Sequence, residues 1–177
     1  MRVISGEFKG RVFNPPANLT VRPTTDRAKE SLFNILNNHV DFTDLDALDL
    51  FAGTGNISYE LISRGVPSVT LVERDPRCIV FIKSTMGKLG MADAHIVRSD
   101  VFRFIDSCTK KFNLIFADPP YSLDRIGEIP GLIMKNKLLK EEGLLVVEHG
   151  SNTDFKNEKG FYQRRNSGEV NFSIFKG

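Results

Sequence analysis

Between Leu45 and Glu148 the chain alternates short apolar runs with amphipathic stretches. The runs are Ala47 to Phe51, Val69 to Glu73, Ala94 to Val97, Phe112 to Ala117 and Leu144 to Glu148. Near-continuous apolar segments suit strands buried on both faces of a parallel sheet; a sheet with one wet face would alternate. Between the runs, Ile57, Leu61 and Ile62 recur at helical spacing, as do Ile79, Ile82, Met86 and Leu89. Strand and helix in alternation predict an α/β fold, with an open, doubly wound, mostly parallel sheet and right-handed crossovers.

The two ends break this rhythm. Arg2 to Ile4 and Arg11 to Phe13 read as a small hairpin turning between Gly6 and Gly10, and Pro15-Pro16 ends it. Thr24 or Thr25 can cap a helix whose inward face would be Ala28, Leu32, Ile35 and Leu36. At the other end, segments 160–165 and 170–175 flank Asn166-Ser167-Gly168, a turn signal that predicts a terminal hairpin. Residues 1–40 therefore form an N-terminal hairpin-and-helix extension, and residues 41–177 the main domain.

Composition narrows the class. The 177 residues, 41% hydrophobic and 26% charged, suffice for one domain with a real core. Cys78 and Cys108 show no zinc-ligand spacing, so no metal site is expected and a reduced, cytoplasmic setting is. No run suits a signal peptide or a membrane span. The net charge of +2 hides an asymmetry: residues 1–40 and 156–177 carry +3 each, and the centre −4. Basic flanks suit a polyanionic partner, although solvated surface charge would look the same.

Four motifs carry candidate chemistry, each at the end of an apolar run. Asp49-Leu50-Phe51-Ala52-Gly53-Thr54-Gly55 places a Gly-x-Gly between strand and helix, where a ligand can lie close to the backbone. Ser58 occupies the third position of the dinucleotide pattern G-x-G-x-x-G, which argues against a pyrophosphate there. Glu73, 18 residues past Gly55 and followed by Arg74, can accept bonds from both hydroxyls of a ribose. Asp100, followed by Val101, can accept from an adenine amine, cap the next helix, or do both. Asp118-Pro119-Pro120-Tyr121 cannot begin a helix, because the prolines lock an extended turn. Such a turn holds a carboxylate, a carbonyl and an aromatic ring over the cleft. An amine conjugated to a base ring is a poor nucleophile. Hydrogen bonds from its N–H groups to Asp118 and to the Pro119 carbonyl would localise its lone pair, while Tyr121 stacks on the base. Glu148 and His149 also end a run and could face the cleft, but a satisfied histidine at a strand end is the better reading of His149.

The order of these motifs resembles the class I methyltransferases that modify base amines. Ser5-Gly6-Glu7-Phe8-Lys9-Gly10-Arg11, Arg22-Pro23-Thr24-Thr25-Asp26-Arg27 and Lys29-Glu30-Ser31-Leu32-Phe33-Asn34-Ile35-Leu36 are similar to the RsmD family, which methylates the N2 amine of a guanine in bacterial small-subunit ribosomal RNA. The resemblance spans nearly the whole chain. Asn56 departs from it, standing where a small residue is expected.

The resemblance implies a Rossmann-like sheet of seven strands; separately, the chain is expected to act as a monomer. It implies S-adenosylmethionine bound by Asp49, Phe51, Ala52, Gly53, Thr54, Gly55, Glu73, Arg74, Asp100 and Val101. It implies catalysis by Asp118, Pro119, Pro120 and Tyr121. Residues 1–40 become an RNA-binding extension, with Lys9, Arg11, Arg22, Thr25 and Arg27 on the RNA or the small-subunit particle. The rival readings are N6-adenine methylation of DNA, a nicotinamide-dependent oxidoreductase, and an RNA-binding module without chemistry.

Overall fold

A computed structural model describes residues 1–17, 19, 24–91 and 94–177. Among them, seven strands form one sheet: β1 (Asp46–Leu50), β2 (Ser68–Glu73), β3 (Ala94–Arg98), β4 (Phe112–Ala117), β5 (Leu139–His149), β6 (Phe161–Ser167) and β7 (Val170–Lys176). The helices are α1 (Asp26–Leu36), α2 (Asn56–Ser63), α3 (Pro76–Leu89), α4 (Val101–Ser107) and α5 (Ile129–Lys135). The strand order is β3-β2-β1-β4-β5-β7-β6. The first five strands are mutually parallel, and β7 runs antiparallel to both β5 and β6. This is the expected doubly wound sheet with a terminal antiparallel hairpin.

The apolar runs are continuous because both faces are covered. Successive residues point to opposite faces. Ala47, Val69, Leu71, Leu114, Phe116, Leu144 and Val146 pack with Leu32 of α1, Ile57 and Leu61 of α2, and Ile82 and Met86 of α3. Leu48, Leu50, Val72, Ile115, Ala117, Leu145 and Val147 pack on the other side with Phe102 and Ile105 of α4 and Ile129 and Ile133 of α5.

The N-terminal hairpin is a single antiparallel bridge, Arg2 to Val12, extended by bonds from Val3 N to Arg11 O and from Phe13 N to Met1 O. It lies along α2. Thr25 is the N-cap of α1 and accepts from Ala28 N. The buried face of α1 differs from the expected one: it holds Ala28, Lys29, Leu32, Phe33 and Leu36, while Ile35 is half-buried. Lys29 is inside because α2 offers it partners. Its ammonium donates to Asn56 Oδ1 at 2.9 Å and to the Arg2 carbonyl, and lies 3.5 Å from Glu60 Oε2. Glu60, fully buried, also accepts from Ile4 N at 2.8 Å, Ser5 N at 3.0 Å and Arg64 Nε at 3.0 Å. Asn56 thus links α1 to α2, which explains why a small residue does not stand there. No helix of the described residues is long and apolar enough to cross a membrane.

Candidate active site

The strand order reverses between β1 and β4: the chain steps outward through β2 and β3, then returns to place β4 and β5 on the other side. Ligands of such sheets bind outside the carboxyl ends of the strands at that point. Both main motifs open there, since the Asp49–Gly55 loop leaves β1 and the Asp118–Tyr121 turn leaves β4. Val72, Leu50, Ala117 and Val147 lie in register across the sheet. One step beyond them along the carboxyl edge come Glu73, Phe51, Asp118 and Glu148. By the alternation of the pleat, Asp49, Glu73, Asp118 and Glu148 belong to the face covered by α1 and α2.

Phe51, Gly53 and Gly55 all take positive φ, at 63°, 55° and 82°. A non-glycine residue in that region is uncommon and held there by its surroundings. A Cβ on Gly55 would lie 2.9 Å from the Tyr59 ring, so close helix packing as well as the backbone angle requires glycine. Asp49 sits beneath the loop, 2% exposed, and accepts from Ser58 Oγ at 2.6 Å. Burial pushes its carboxyl up to about 7, and the neighbouring Asp118 and Glu73 add to the effect against the Ser58 hydrogen bond. Ser58 is therefore a carboxylate partner, and the missing third glycine has a structural cause.

Glu73 is fixed by backbone donors: Gly53 N at 2.8 Å, Arg74 N at 2.8 Å and Asp75 N at 2.7 Å. It ties the glycine loop to the end of β2 and remains half-buried at the crevice. Asp100 caps α4 through Phe102 N at 3.0 Å and Arg103 N at 3.2 Å, with Val101 buried behind it. Ala52 and Thr54 are buried within the loop.

At the corner, Asp118 is half-buried, Pro119 buried, Pro120 exposed and Tyr121 48% exposed. The hydroxyl of Thr24 lies 3.4 Å from Asp118 Oδ2 and 3.4 Å from Glu148 Oε2. The Tyr121 hydroxyl lies 3.4 Å from the other oxygen of Glu148, and its ring stands over Gly150, where a Cβ would meet it at 3.6 Å. His149 is fully buried, with Nδ1 2.8 Å from Gly150 O and Nε2 2.8 Å from Ser173 Oγ; burial lowers its pKa. It is the satisfied histidine expected from the sequence.

The basic residues divide. Arg27 and Thr25 stand at the start of α1 beside the carboxyl edge, both exposed. Lys9 and Arg11 are exposed on the hairpin, whose tip packs on Ser63 at the far end of α2. Arg22 lies outside the described residues. Sequence reasoning read Thr24 only as a possible cap and missed its contact with two carboxylates 94 and 124 residues away, for which no local signal exists. Among the described residues no group of three His, Cys, Asp or Glu side chains could hold a metal ion.

Against known proteins, the family described as Conserved hypothetical protein 95 matches residues 1–176. The chain belongs to this family, the RsmD family of methyltransferases. Relatives agree with the assignment. YlbH of Bacillus subtilis, provisionally named an rRNA methyltransferase, is 39% identical over 153 residues, covering 84% of this chain and 82% of its own length. Ribosomal RNA small subunit methyltransferase D of Escherichia coli K12 is 33% identical over 148 residues, covering 84% and 74%. A Thermus thermophilus hypothetical protein of known structure superposes with a TM-score of 0.88 at 26% identity, covering 100% of this chain and 99% of its own. These likenesses place the whole chain, including the hairpin extension, within the RsmD pattern.

Proposed function

We propose that this RsmD-family chain transfers a methyl group from S-adenosylmethionine to the N2 amine of a guanine in small-subunit ribosomal RNA. The observation that carries the reading is the Asp118–Tyr121 corner, set beside the glycine loop at the switch point of the sheet. The relatives' names supply the RNA class.

The crevice suits the methyl donor. Its edge is acidic, with Glu73 and Asp118 on one face and Asp49 buried beneath the loop. This favours a ligand bearing positive charge and disfavours a dinucleotide pyrophosphate. S-adenosylmethionine supplies an electrophilic methyl group on a sulfonium. Glu73, already oriented by three backbone N–H groups, has acceptor capacity left for ribose hydroxyls, and Asp100 faces the adenine end. Arg74 and Val101 flank these two carboxylates.

The target base is taken out of its stack and laid on the exposed Tyr121 ring. The Asp118 carboxylate and the Pro119 carbonyl accept the two N–H groups of its amine, and Pro120 keeps the turn extended. The same oxygens stabilise the positive charge that develops on nitrogen. Alignment and preorganised charge carry the acceleration, so no catalytic group needs an unusual pKa.

The RNA reaches the corner along residues 1–40 and the terminal hairpin. A polar groove of about 680 Å³ lies between α1 and the β6–β7 hairpin, lined by Arg27, Asn34, His39, Gln163, Arg165 and Asn166 among others. Arg27, in the first turn of α1 and three residues past Thr24, lines it. Lys9 and Arg11, exposed on the hairpin beyond α2, meet phosphates outside this groove.

Asp118→Ala should lower kcat by at least about 100-fold while adenosylhomocysteine binds with near wild-type Kd. Turnover at the wild-type rate would remove the corner from catalysis. Identifying the methylated nucleoside in labelled RNA and DNA separates N2-methylguanosine from the N6-methyladenosine of the rival reading.

A further inference from the structure

Glu148 is the side chain at the carboxyl edge that the proposed chemistry leaves unused. It is 4% exposed, yet it is the penultimate residue of β5 and lies one step past the Ala117–Val147 pair, as Asp118 does on the β4 side. One hydroxyl, Thr24 Oγ1, lies 3.4 Å from a carboxylate oxygen of each. The other Glu148 oxygen lies 3.4 Å from the hydroxyl of Tyr121, the ring on which the base would stack. Two carboxylates therefore converge on one hydrogen-bond donor, the Thr24 hydroxyl, and one of them also meets the hydroxyl of that ring.

A base edge that faces both carboxylates must present donors to both. Guanine does so, because its N2 amine and the adjacent N1–H are neighbouring donors. Adenine presents its N6 amine beside an N1 lone pair, which would face a carboxylate across a desolvated gap. We propose that Glu148 is the specificity-determining residue that accepts N1–H of the target guanine while Asp118 accepts from N2. This rests on the guanine-N2 reading above and extends it from the amine to the ring nitrogen. Thr24 holds the two carboxylates in place before the base arrives, and the Tyr121 hydroxyl fixes the rotamer of Glu148.

A site built to pair a donor rejects an analogue lacking it, because its own buried acceptor is left unmatched. The partner here is charged, so discrimination of about 10- to 100-fold is expected.

The test uses small-subunit RNA carrying either guanine or 2-aminopurine at the mapped target. 2-Aminopurine keeps the amine but has a lone pair at N1. Wild-type protein should methylate guanine with a kcat/KM about 10- to 100-fold above that for 2-aminopurine. Glu148→Gln is isosteric, and its amide can donate to that lone pair, so the preference should collapse at least tenfold. Adenosylhomocysteine Kd should stay unchanged, which reports an intact fold. Equal rates on the two bases by wild-type protein would overturn the assignment without recourse to any variant, as would an unchanged preference in Glu148→Gln. A wild-type product identified as N6-methyladenosine would instead overturn the guanine reading on which the inference rests.

Discussion

Asp49 lies under the glycine loop with its carboxyl shifted from 3.8 to about 7, chiefly by burial. A carboxyl whose pKa is raised on folding binds more protons in the folded state between those two values. Stability on its account therefore falls as pH rises from about 4 to about 7, and is level above that. His149 acts the other way: its lowered pKa makes folding favour the neutral ring, so stability falls as pH drops below the ordinary histidine value. The wild-type melting curve mixes the two. Subtracting the curve of Asp49→Asn isolates the first. Wild type should lose up to a few kcal/mol relative to the variant between pH 4 and 7, read from Tm at each pH. A flat difference would mean that Asp49 titrates normally. At this scale the sequence was informative where a polar residue closes or interrupts an apolar run: Glu73, Asp118 and Glu148 stand out at run ends, and Asp49 inside the first run. It was silent on Thr24 and Lys29, because neither the pair of carboxylates that one meets nor the buried cage around the other is close in sequence.

Among elements, the N-terminal hairpin is held on α2 by a close seam at Ser63. Gly6 approaches Ser63 so closely that a Cβ would lie 1.7 Å from its carbonyl oxygen, and its φ is +80°. Glu7 N donates to that oxygen at 2.7 Å, and the Ser63 hydroxyl accepts from Phe8 N at 2.9 Å. Gly6→Ala must open this seam, at a cost of at least about 2 kcal/mol, visible as a drop in Tm. Glu60 is the other tie. Glu60→Ala strands the fully buried Lys29 ammonium, the Arg64 guanidinium and two backbone donors, and should cost about 3–5 kcal/mol. Lys29→Met should cost less, since Glu60 keeps Arg64, Ile4 N and Ser5 N. Denaturant titration of the two variants checks the order, and the reverse order would mean that Lys29 is the residue the network serves. The helical spacing of α1 was readable, but its buried face was displaced toward Lys29 and Phe33 because a lysine reads as surface until its partners are known. The terminal hairpin was readable in more detail. β7, Val170 to Lys176, is the more apolar arm and takes the inner place beside β5, while Arg-rich β6 takes the edge.

For the whole molecule, the basic flanks around an acidic centre acquire a geometric meaning. The N-terminal flank sends α1 down from the corner, and the C-terminal flank sends β6 alongside it. Arg27 and Arg165 face the groove between them at the end nearest Thr24. On the proposed function, the acidic middle would hold the cationic methyl donor and the basic flanks the RNA, opposite charge signs for two ligands on one sheet edge. Strand alternation made the sheet legible, but the groove was not, because it joins segments from opposite ends of the chain. If RNA phosphates lie in it, each arginine releases counterions on binding. The slope of log K against log salt should then shrink by about 0.7 for Arg27→Ala and again for Arg165→Ala, the value for a single-stranded contact. KM for RNA should rise at fixed salt while kcat and the guanine preference hold, because neither guanidinium is placed at the base. Filter binding across a salt series, run beside steady-state methylation, measures both. An unchanged slope in the double variant would move the RNA path off this groove and leave the catalytic corner untouched.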